Sequence, residues 1–67
     1  MNLRNAIINN LQGQNPNQLS ETIQDAVSNG EEKTLPGLGV MFELFWKNSQ
    51  PNEKQAVLQK MATALQS

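Results

Sequence analysis

The sequence predicts an all-α fold, a compact bundle of about four short helices in a single small domain spanning residues 1–67, with scope for completion by self-association. Three observations lead there. Apolar residues recur at three- and four-residue spacing in separate stretches, polar residues followed by proline open several of those stretches, and the connectors between them are short.

The first stretch covers residues 2 to 11. Leu3, Ile7 and Leu11 stand four apart, and Ala6 and Ile8 widen the same side, which makes a short amphipathic helix. Gly13 then releases the chain. At Asn15-Pro16 an asparagine that can accept an amide hydrogen bond precedes a proline suited to the first helical position. Leu19, Ile23, Ala26 and Val27 supply the stripe, Glu21 and Asp25 lie on the polar side, and Asn29-Gly30 offers a left-handed exit.

Residues 31 to 37 read as a charged connector. Pro36 near a first turn then starts a helix from about 36 to 48, with Leu38, Met41, Phe42 and Phe45 on its core side and Leu44 and Trp46 turned partly elsewhere. Such a helix is apolar on more than one side, as suits a central packing element or one that also meets a partner. Branched and aromatic residues between Val40 and Trp46 would also suit a strand, but Glu43 interrupts a buried-strand pattern. Ser49-Gln50-Pro51 marks the last start, with Ser49 as the cap aimed at the Asn52 amide. Val57, Leu58, Met61, Ala62 and Leu65 give the tail the clearest helical face. Met41 and Met61 fit adaptable core filling.

Composition narrows the function classes. A chain of this size folding alone hides roughly 60% of its extended surface, so the core is small and the monomer marginal. It has no cysteine for a disulfide and no histidine to bind zinc. Five basic against six acidic residues give a net charge of −1, which disfavours strong autonomous duplex binding. Asparagine and glutamine make up 17 of the 67 residues, so the surface is polar through amides rather than charge. The opening Met1-Asn2-Leu3-Arg4-Asn5 lacks the long apolar region of a secretory signal, and the apolar neighbourhood Leu38 to Trp46 is too short to cross a bilayer. A cytoplasm-like setting without membrane insertion is expected.

No catalytic constellation is legible, and no cofactor is expected. Glu31 and Glu32 are adjacent in a loop, whereas a general acid and base need distinct environments around a substrate. Ser20, Ser28, Ser49 and Ser67 have no histidine base anywhere in the chain. Gly37 and Gly39 form no phosphate loop; close packing and helix entry are the readings for them. Phe42, Phe45 and Trp46 are the candidate protein interface, led by Trp46, which leaves the core stripe and carries a donor. Among Arg4, Lys33, Lys47, Lys54 and Lys60, the candidate nucleic-acid contacts are Lys33, Lys47 and Lys54, in an alternative where DNA or RNA meets dispersed cations, amides and an aromatic patch.

The run from Asp25 to Lys47, with Gly30-Glu31-Glu32-Lys33 followed by Leu35-Pro36-Gly37-Leu38-Gly39, resembles the small, acid-soluble spore protein I family. The likeness extends through Leu3-Arg4-Asn5-Ala6-Ile7-Ile8 and the amphipathic tail. The amino terminus is slightly shorter than in the family, and the match loosens at the carboxy terminus. The resemblance implies a role in sporulation, expression in the forespore, and residence in the forespore cytoplasm and mature spore core. It carries no catalytic residues and does not import the DNA-saturating activity of the separate alpha/beta-type spore proteins. The resulting expectation is a non-catalytic structural or protein-interaction role, through self-association or contact with a spore protein.

Overall fold

The computed structural model describes residues 2–66. Met1 and Ser67, the latter weighed above as a nucleophile, lie outside the described residues. Four α-helices follow one another: α1 Leu3–Leu11, α2 Pro16–Asn29, α3 Leu35–Lys47 and α4 Pro51–Leu65, with a 3₁₀ turn at Glu32–Thr34 leading into α3. The described residues contain no strand, so the Val40 to Trp46 segment is helical.

Each boundary has a local cause. Asn2 caps α1, its Oδ1 accepting from the Asn5 amide at 3.3 Å. At α2 the exchange is reciprocal: the Gln18 amide donates to Asn15 Oδ1 at 2.8 Å, and the Asn15 amide donates to Gln18 Oε1 at 2.9 Å. Pro16 occupies the first turn, where a missing N–H costs no helical bond. Gly13 and Gly30, at φ of 86° and 61°, take the left-handed conformations that end α1 and α2.

The connector is shorter than the sequence suggests. Residues 32–34 wind into the 3₁₀ turn, where Thr34 Oγ1 donates to the Glu31 carbonyl at 2.7 Å, so α3 starts at Leu35 and absorbs Pro36 and Gly37. The cap of α4 also moves. Gln50, directly before Pro51, is the N-cap, and its amide donates to Glu53 Oε1 at 2.7 Å. Ser49 sits one residue too early to cap Pro51's helix, and its hydroxyl instead donates back to the Phe45 carbonyl of α3.

Helix α3 is the hub, packed by α1 and α2 and by the turn before it. Val40 is the one buried hydrophobic residue among those described, at 8% exposure. Ala6, Ile7, Ile8, Leu11, Leu19, Ala26, Leu38 and Met41 are half-buried along the contacts of α3 with α1 and α2. The outer edge of the α1–α3 contact is polar: Arg4 Nε and Nη2 donate to Glu43 Oε1 and Oε2 at 2.8 and 2.9 Å, a two-pronged pair joining residues 39 apart in sequence.

Several expected core residues are not enclosed. Phe42 remains 40% exposed on the side of α3 that α1 and α2 do not cover, Phe45 36% at the edge of the groove those helices leave open, and Met61 44% on α4. The close approach expected at Gly37 and Gly39 is absent too: both are helical without positive φ, and a Cβ at either would meet nothing within 4 Å. The accessible surface is 5541 Å². Size scaling gives about 4,200 Å² for a folded chain of this mass, so about 1,300 Å² stays uncovered beyond what a monomer of this size normally leaves.

Two outcomes follow for stability. Gly30→Ala forces an L-residue into a left-handed position and is expected to lower unfolding free energy by about 1 kcal/mol, whereas Gly39→Ala removes backbone entropy in open space and is expected to raise it by about 0.5–1 kcal/mol. Urea titration of each variant checks both signs. The second outcome concerns acid. The hydrogen bonds from Arg4 hold the Glu43 carboxyl below its ordinary range, with the Arg4 and Lys47 charges assisting and partial desolvation opposing. A carboxylate depressed by folding gives stability that is complete above its unfolded pKa and is lost as pH falls through the folded one. The thermal midpoint, followed by circular dichroism, is therefore expected to drop under acid conditions, with Glu43→Gln removing that component and lowering the midpoint at neutral pH.

Candidate interaction surface

Helical periodicity divides α3 into three sides. Pro36 and Val40 face Leu3 and Ile7 of α1. Met41, Leu44 and Phe45 line an open apolar groove of about 400 Å³ together with Ile8 and Leu11 of α1 and Leu19 and Ile23 of α2. The third side carries Leu35, Gly39, Phe42 and Trp46; α2 reaches only its first residue, Leu35, through Ala26 and Val27. Leu35 on it is 60% exposed.

The three candidate interface residues form one continuous aromatic cluster. Phe42 stands in the middle, its ring centroid 6.1 Å from Phe45 and 5.7 Å from Trp46, both tilted arrangements at normal aromatic contact distance. Phe45 belongs to the groove and Phe42 and Trp46 to the third side, so the cluster bridges the two apolar areas. The order of exposure differs from the sequence reading. Trp46 is half-buried, while both phenylalanines are exposed. The cause is Lys54 on α4, whose Nζ lies 4.9 Å from the Trp46 ring centroid and covers that face with a cation–π contact.

The candidate nucleic-acid residues are dispersed. Lys33 lies before α3 and pairs with Glu31 at 3.2 Å. Lys47 ends α3, about 20 Å further along by helical rise. Lys54 is on α4, engaged with Trp46. The structure brings Lys47 and Lys54 to the α3–α4 corner and leaves Lys33 at the other end of α3. Glu31 and Glu32 are exposed at the α2–α3 turn. Among the described residues, no three His, Cys, Asp or Glu side chains group as metal ligands, and no helix is long and apolar enough to cross a membrane.

Sequence reasoning did not anticipate the Arg4–Glu43 pair or the part played by α4. Nothing local signals an ion pair across 39 positions. Helix α4 had a visible signal in its spacing: Lys54, Leu58, Met61 and Leu65 follow intervals of four, three and four residues, the same intervals as Leu35, Gly39, Phe42 and Trp46. An apolar edge of this kind can bury another apolar surface.

Comparison with known proteins gives a consistent answer along the chain. Residues 1–65 match the family model described as small, acid-soluble spore protein I. Proteins of that name from Bacillus cereus and Bacillus anthracis are each 52% identical over 64 residues, covering 96% of this chain and 93% of the relative. No solved structure matches. The chain therefore belongs to the small, acid-soluble spore protein I family, and its role is spore-related.

Proposed function

We propose that the protein serves as a non-catalytic structural or interaction protein of the spore core, made in the forespore and retained in its cytoplasm as the spore matures. Phe42, Phe45 and Trp46 form its contact surface for protein. The observation carrying this reading is the uncovered apolar area: Leu35, Phe42, Leu44 and Phe45 on α3 all remain exposed in a chain whose surface exceeds the monomer scaling by about 1,300 Å². Contiguous apolar surface of this kind is stabilised by removal from water, which a protein partner supplies. Family membership supports the setting. The charge pattern does not favour nucleic acid as the occupant, because Lys33 is paired with Glu31, Lys54 is seated on Trp46, and the net charge is −1.

The test places a photo-reactive amino acid at Phe42 in the sporulating organism. Irradiation of mature spores is expected to give covalent adducts with protein, either another copy or a second species. Adducts with nucleic acid alone, or no adduct of any kind, would overturn the reading. A fluorescent fusion under the native promoter is expected to appear in the forespore compartment, and signal confined to the mother cell would remove the proposed location.

A further inference from the structure

Resting on the reading of this surface as a protein contact, one occupant is favoured by the arrangement of α3 and α4. The two helices carry matching stripes, Leu35-Gly39-Phe42-Trp46 and Lys54-Leu58-Met61-Leu65, spaced four, three and four residues apart. Run antiparallel, they pair Trp46 with Lys54, Phe42 with Leu58, Gly39 with Met61 and Leu35 with Leu65. Within the chain the first rung is made, Lys54 lying 4.9 Å from the Trp46 ring. The other rungs stay open: Leu58 is 43%, Met61 44% and Leu65 83% exposed, and the space over Gly39 is empty to 4 Å.

The corner between the helices explains why the chain leaves them apart. Asn48 Nδ2 donates to the Leu44 carbonyl at 2.7 Å, the Ser49 hydroxyl donates to the Phe45 carbonyl, and the Gln50 amide donates to Glu53 on α4 at 2.7 Å. The three-residue connector is thus pinned to the end of α3 on one side and to the start of α4 on the other, which restricts its freedom to fold α4 back onto α3.

We propose that the open wedge is filled by the same wedge of a second copy, in a two-fold dimer where the α3 stripe of each chain packs on the α4 edge of the other. The area agrees with this occupant. An ordinary interface covers about 800 Å² on each partner, and this chain leaves about 1,300 Å² beyond the monomer expectation. Both stripes reside on one chain, so a two-fold arrangement satisfies both at once and closes without forming a filament. The net charge of −1 opposes pairing of copies only weakly. The Gly39 notch receives the flexible Met61 side chain of the partner, which accounts for a glycine in mid-helix where nothing in its own chain requires one.

Sedimentation equilibrium of the purified full chain, from low to several hundred micromolar, tests the pairing. Wild-type mass is expected to rise toward twice the chain's 7.4 kDa. Gly39→Lys places a good helix former in open space, so its helical circular dichroism is retained while association weakens at least about tenfold, and Met61→Glu is expected to do the same. Mixing the two variants restores the dimer, because one reciprocal contact is then wild-type and the other sets lysine against glutamate. A wild-type chain that stays monomeric throughout, a dimer that neither variant weakens, or variants that mixing fails to rescue would each overturn the proposal. Photo-adducts with a different spore protein, together with a monomeric purified chain, would end this inference and leave the broader interaction role standing.

Discussion

The structure depends on a mismatch between the apolar circumference of one helix and the elements that pack on it. Helix α3 is apolar around most of its circumference, and α1 and α2 cover two of its sides. Val40, on the α1-facing side, is buried; Phe42, on the uncovered side, is not. Helix α4 follows α3 after three residues, which bond locally to the end of α3 and the start of α4. Apolar surface consequently remains on both helices, and every functional reading above begins with that surplus.

The amide-rich composition takes on a specific meaning in this frame. In the sequence, asparagine and glutamine look like uncharged helix surface or potential contacts to a base or another chain. In the fold, many of them serve helix ends. Asn2 caps α1, Asn15 and Gln18 cap α2 reciprocally, Asn48 returns a hydrogen bond to the last turn of α3, and Gln50 begins α4. Short helices have a high proportion of unpaired terminal backbone groups, and a bundle with so small a core gains little elsewhere to offset them. Amides meet that need without adding charge, which also leaves the chain nearly neutral and able to approach its own kind.

What could be read in advance was local. Asn15-Pro16 and Asn29-Gly30 bounded α2 because capping and left-handed exits depend on residues next to one another, and the heavy apolar load of α3 foretold a helix with more than one duty. The errors arose where the third dimension decides. Ser49 and Gln50 are both polar residues before Pro51, and only the backbone path shows that Ser49 still belongs to the end of α3. Arg4 and Glu43 meet because α1 lies along α3, which no local pattern encodes. Spacing puts Phe42 and Phe45 on the core side of α3 and their chemistry also suits an interface, but periodicity marks which side of a helix a residue occupies and says nothing of whether another element arrives there. The aromatic cluster was therefore legible as a group, while its exposure and the covering of Trp46 by Lys54 were not.

The division of α3 into sides also separates folding from association. Val40, which meets α1, lies around the helix from Leu35 and Phe42, while Glu43, which holds Arg4, sits one turn beyond Gly39 at the border between the two sides. A change at Val40 removes buried contact area and acts on the fold itself. A change at Gly39 meets empty space within the chain and acts on whatever arrives from outside. That separation is what a small protein requires if it is to fold first and assemble afterwards, because the monomer must persist long enough to find its partner with an apolar side uncovered. The two-pronged Arg4–Glu43 pair joins α1 to α3 with charged groups rather than with apolar area.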